Sequence, residues 1–256
     1  MPSALDVVFA FVLVVVTTIF EYVYFWPRFR ADIAAGRPGA RYRAYRKGII
    51  GQWLFALTAL AIWIRNERSW SALGITIGHG WQLTASILIV LAAVGLLAVQ
   101  LWSVLRLSAE RRIRARPQLG AVAFMLPRTR QDETWFIVLS ITAGFCEELL
   151  YRGYLAWLFS PWLGKAGALV AVTILFGIGH LYQGRKGAVR ATIAGAVMAA
   201  IVLVTGSLIP GMIAHALIDI GGGTVGYLIL RDDESSGDER GGTQVAPAAL
   251  ESAVPQ

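Results

Sequence analysis

Residues 144–155, GFCEELLYRGYL, set Glu147, Glu148 and Arg152 inside a stretch that otherwise reads as soluble in lipid. Three more polar groups, His180, His215 and Asp219, stand in the later apolar runs of the chain. A charge at mid-bilayer costs at least ~2.5–3.5 kcal/mol, so each of these needs a partner or a task. Helical spacing sorts them. Glu148 and Arg152 are spaced i,i+4 and share a face, which predicts an ion pair, whereas Glu147 is turned away from Glu148 by about 100° and is left to face something else. Phe176 with His180, and His215 with Asp219, repeat the i,i+4 spacing. A carboxylate and two imidazoles converging between helices could bind a divalent cation such as zinc or position a water directly. Either arrangement generates a nucleophile away from bulk solvent.

The elements that must carry these groups follow from composition. With 56% hydrophobic and 15% charged residues, the 256-residue chain is too apolar for an ordinary soluble domain. Seven apolar runs approach the roughly 20 residues needed to cross a bilayer: 4–26, 48–65, 81–105, 134–160, 164–183, 187–206 and 208–230. The expected fold is all-α, a polytopic transmembrane helix bundle of about seven spans over residues 1–230. Residues 231–256, rich in Gly, Ser, Asp, Glu, Ala and Pro, read as a disordered tail. The first run lacks a preceding Lys or Arg and reads as a retained helix rather than a cleaved leader.

Charge asymmetry gives an orientation. Basic residues crowd 27–47, 106–133 and 185–190, while the intervening loops hold Arg65 and Arg68, then Lys165. The positive-inside rule places the N-terminus outside and the C-terminus in the cytoplasm. The net charge of +7 therefore reads as a topological signal with some contact to anionic lipid, not as a nucleic-acid footprint. The single cysteine, Cys146, rules out an intrachain disulfide and packs as a small hydrophobe. Asp6 and Glu21, in the first run, are expected near the membrane interfaces.

Taken together, E-E-x-x-x-R at Glu147, Glu148 and Arg152, F-x-x-x-H at Phe176 and His180, and H-x-x-x-D at His215 and Asp219 resemble, in order and spacing, the CPBP family. These intramembrane proteases include the CAAX prenyl endopeptidase and many bacterial Abi-type proteins. The motifs cover about residues 140–225. The resemblance implies a helical core in which Glu147 and His180 activate a water, while His215 and residue 219 bind metal or stabilise the oxyanion. The last motif of the family often ends in Asn. Asp219, when ionised, cannot donate to an oxyanion but can ligate a cation or orient His215, which favours a metal-dependent site held by Glu147, His180, His215 and Asp219.

The sequence thus reads as an intramembrane metalloendopeptidase acting on a membrane-associated peptide or protein, most simply in a prokaryotic plasma membrane, with no nucleic-acid partner and no indication of oligomeric state. Two other readings use the same residues. One is a non-catalytic binding, immunity or scaffold protein. The other is an ion or proton carrier.

Overall fold

The structure, a computed structural model, describes residues 2–231. Ser3 starts the first helix by a capping box, its hydroxyl accepting from the Asp6 backbone N–H while the Asp6 carboxylate accepts from the Ser3 N–H. From there α1 runs Ala4–Ala34, interrupted by two π-helical turns, Val12–Val16 and Glu21–Phe25. The remaining long helices are α2 (Ala40–Arg65), α3 (Trp81–Leu105), α4 (Arg130–Gly179), α5 (Gly184–Thr205) and α6 (Ile209–Leu230). Short helices at Trp70–Leu73 and Ala109–Ala115 and a 3-10 segment at Arg116–Val122 fill the connections. No strand occurs among the described residues.

Six of these helices are long and apolar enough to cross a membrane, and the fold is an all-α polytopic bundle. Its outward surface is apolar: Ile87, Leu88, Leu91 and Val99 of α3 are all exposed. Lipid rather than water is the solvent that such a face matches.

The fourth helix carries two of the seven apolar runs. Its 50 residues would reach about 75 Å if straight. Instead the chain breaks at Gly164, whose φ of 67° and ψ of 167° belong to a region open essentially to glycine alone. Residues on either side then meet, with the Tyr151 and Phe176 rings 5.2 Å apart and the Arg152 guanidinium 4.3 Å from the centre of the Phe176 ring. The segment is a helical hairpin with arms 130–163 and 165–179.

Two sequence expectations change. The second arm ends at Gly179, not at 183, and a 3-10 turn, Leu181–Gln183, follows His180. The basic stretch 27–47 is mostly helix, because α1 continues to Ala34 and α2 begins at Ala40. Asp6 gains a partner that the sequence did not indicate: it is fully buried and held by both Nη atoms of Arg68 at 2.8 and 2.6 Å. The expected tail, from residue 232 on, lies outside the described residues.

The functional half is assembled by close approach of α6 to α4. A Cβ on Gly144 would stand 2.7 Å from the Ala216 nitrogen and the Met212 oxygen, so only glycine permits this contact. Glu147 lies three residues beyond Gly144 on α4, and His215 lies between the two α6 residues that Gly144 meets.

Candidate active site in the membrane

The motif carboxylates sit where α4 changes pitch. Residues Arg130–Glu147 are α-helical, and Glu148–Leu155 form a π-helical segment. A wider turn rotates less per residue than an α-helix, and such bulges recur at functional sites. Here it carries Glu148 and Arg152 on one buried face, both side chains 0% exposed, with Arg152 Nη1 3.1 Å from Glu148 Oε1. That is the ion pair that the i,i+4 spacing predicts. The guanidinium lies over the Phe176 ring, which adds a cation–π contact from the opposite arm of the hairpin.

Glu148 has a second partner that helical spacing alone does not reveal. His215 Nδ1 donates to the same Oε1 at 2.8 Å. An ionised carboxylate only accepts, so the hydrogen resides on Nδ1, and Nε2 is the ring atom turned toward Glu147 and Asp219. From Nε2, Glu147 Oε2 is 3.8 Å away and Asp219 Oδ2 3.7 Å. Two adjacent glutamates on one helix therefore bracket a single imidazole, Glu148 at Nδ1 and Glu147 at Nε2. Their angular offset is met by the spread of the two ring nitrogens.

Asp219, one turn beyond His215, has a side chain 41% exposed, which puts it at the mouth of the group rather than inside it. His180 joins through aromatic contact. Its Nδ1 donates to the Phe176 carbonyl at 2.8 Å, again leaving Nε2 free, and Phe176 touches both imidazoles, with centroid distances of 4.4 Å to His180 and 6.1 Å to His215. The hairpin explains its depth. Glu148 lies sixteen residues before Gly164 and His180 sixteen after, so equal helical rise brings them level. The second arm does not run on as one span to 183; it stops at Gly179, with His180 as its C-cap.

Several contacts were not readable from motifs. Gln52 of α2 donates from Nε2 to Glu147 Oε1 at 3.0 Å. Trp26 of α1 stacks on Tyr182 at 3.7 Å and 6°, and Arg30 donates to the Tyr182 carbonyl, pinning the turn that follows His180. Beside this turn is a groove of about 230 Å³ lined by Ile19, Glu21, Trp26, Gly179, Leu181 and Tyr182. Cys146, next to Glu147, is fully buried among hydrophobic neighbours.

The donor chemistry fits a divalent cation. Each imidazole spends Nδ1 on a carboxylate or a backbone carbonyl and keeps Nε2 available, the arrangement typical of metal-bound histidine. Among the described residues, however, no group of three or more His, Cys, Asp or Glu side chains is already drawn together as a metal-holding set.

Residues 130–221 match the family model described as type II CAAX prenyl endopeptidase Rce1-like. This is the family to which the three motifs point, and the matched segment contains all seven motif residues. At the level of the family it supports a CAAX-type membrane protease. No curated protein and no solved structure matches the chain.

Proposed function

We propose that this protein is an intramembrane endopeptidase that hydrolyses a peptide bond of a membrane-associated protein or peptide, with Glu147 as general base. The observation that carries the reading is the unequal use of the two glutamates. Arg152 and His215 both contact Glu148 through its Oε1, while Glu147 stands with Oε2 3.8 Å from His215 Nε2. A water held there loses a proton to Glu147 as its oxygen attacks the carbonyl carbon. Glu147 then returns that proton to the leaving amine as the C–N bond breaks. Glu148 and Arg152 hold the His215 ring in orientation, and His180, whose Nε2 is an acceptor once Nδ1 donates to the Phe176 carbonyl, helps to hold the water from the other arm.

A divalent cation such as zinc belongs to this proposal. Glu147, His180, His215 and Asp219 would hold it, and when bound it would supply a water of lowered pKa and a Lewis acid for the carbonyl. Metal analysis of detergent-purified protein should find close to one ion per chain, lost in His180→Ala and in His215→Ala. Active wild-type protein free of metal would show that the side chains act on water unaided.

The name of the matched family suggests a prenylated CAAX peptide as the first substrate to test, in quenched-fluorescent form beside its unprenylated twin. Glu147→Gln should lower cleavage by roughly 10²–10⁴-fold with an unchanged melting curve, since an amide keeps the shape but takes no proton. Retention of full activity by Glu147→Gln would sink the assignment. For orientation, the basic asymmetry favours an external 66–80 loop in a prokaryotic plasma membrane. Cysteine at position 72, which is exposed in the structure, should react with an impermeant thiol reagent added to intact cells; reaction only after lysis would invert the topology.

A further inference from the structure

Gln52 lies on α2, far outside the segment matched by the family model, yet its side chain ends on the proposed base. Nε2 must be the end that faces Glu147, because a carboxylate offers acceptors and only the amide nitrogen can donate. That orientation settles where the other end goes. Gln52 Oε1 is buried and has no hydrogen-bond partner among the described residues. A buried carbonyl oxygen without a donor is costly, and native structures rarely keep one unless a group arrives to fill it. The helix itself is held beside α4 by another contact, the stack of Trp53 on Phe145 at 5.3 Å, so Gln52 is not needed to dock α2.

We propose that Gln52 is part of the hydrolytic machinery, with Nε2 fixing Glu147 and Oε1 accepting a hydrogen bond from the attacking water. The inference rests on the protease reading above. With Oε1 of Glu147 tied to Gln52, Oε2 is the oxygen free to take a proton. The water then gives one hydrogen to Glu147 Oε2 and points the other at Gln52 Oε1, which leaves an oxygen lone pair for the carbonyl carbon. One O–C bond forms and the C–N bond breaks. The first proton passes through Glu147 to the amine, and the second stays on the new carboxyl group, held but never taken by the amide.

The test compares Gln52→Met, which loses both ends, with Gln52→Lys, which keeps a donor toward Glu147 and loses the acceptor. The readouts are cleavage of the quenched CAAX peptide and melting in detergent. Gln52→Met should cut kcat by roughly 10²-fold, the scale of a misplaced reacting group, with KM near wild type and only a small fall in melting temperature. Gln52→Lys should fail to restore kcat. Full rescue by lysine would reduce Gln52 to a clamp and overturn the water contact. Wild-type kcat in Gln52→Met would overturn the whole inference. Independently of activity, the melting shifts of Gln52→Met and Glu147→Leu should be non-additive when combined. Additive shifts would show the two residues are not coupled and overturn the inference as well. A wild-type protein that cleaves neither peptide while the coupling persists would count against the protease reading and withdraw the water from Gln52, a result distinct from either kinetic failure.

Discussion

Two buried carboxylate–arginine pairs hold this bundle, and they are built to opposite specifications. Asp6 and Arg68 form a bidentate pair at 2.8 and 2.6 Å; Asp6 also accepts from Ser3 and from the Tyr154 hydroxyl, and the guanidinium lies 4.2 Å from the Trp157 ring centre. Every lone pair of the carboxylate that matters has a donor. Glu148 and Arg152 meet through one contact of 3.1 Å, and among the described residues Glu148 Oε2 and Arg152 Nε and Nη2 have no hydrogen-bond partner. The two pairs stand two residues apart on α4, through Tyr154 and Arg152. A closed pair can only hold helices together. The open pair has a third member, His215, and keeps capacity in reserve, which is what a site that must accommodate changing charge requires.

The largest effect expected from this contrast is in Glu148→Gln. It leaves Arg152 buried without its counter-charge, a loss of the order of 3–5 kcal/mol that should lower the melting temperature, and it leaves His215 Nδ1 only a neutral amide acceptor, so activity should fall as well. Adding Arg152→Met removes the lone cation and should restore part of the stability. Activity should stay low, because His215 still lacks its ionised acceptor. Recovery of both would mean that the open pair is only another clamp.

Arg68→Met should cost a similar amount of stability by stranding Asp6. The kcat of the folded fraction should be unchanged, measured below its lowered melting temperature. A fall in kcat as steep as that of Glu148→Gln would erase the distinction between the pairs. A smaller effect, about 1–3 kcal/mol of overpacking, is expected for Gly144→Ala, whose new methyl meets the α6 backbone. Here activity should fall with stability, since His215 rides on the displaced helix. Least of all, Ser3→Ala removes the α1 cap beside the closed pair, at about 1 kcal/mol and no change in kcat.

How much of this was legible in the sequence depends on the range of the contact. Glu148–Arg152 was predictable because both residues belong to one helix at i,i+4, and the six ionisable motif residues were found because such groups in lipid demand a reason. Gln52–Glu147, Asp6–Arg68 and His215–Glu148 join residues 95, 62 and 67 positions apart, and no local pattern encodes them. The reading that one glutamate serves Arg152 and its neighbour the histidines was half right. Glu148 serves His215 too, because the π-helical segment and the two-sided imidazole let both glutamates reach it. The end of the arm that carries His180 was not legible because a run of apolar residues shows where a span can lie, not where Gly164 turns it back or Gly179 ends it.

The order of the helices along the chain has a consequence for biosynthesis. The hairpin that turns at Gly164 pairs its arms over a short sequence distance, so Glu147, Glu148, Arg152 and His180 can be set level while the chain is still being inserted. His215 and Asp219 reside on α6, which follows the hairpin in the chain. Until α6 docks against Gly144, Glu148 has only Arg152 as a partner and Glu147 lacks its imidazole neighbour. On the proposed reading, the general base is therefore made and inserted before the histidine it works against.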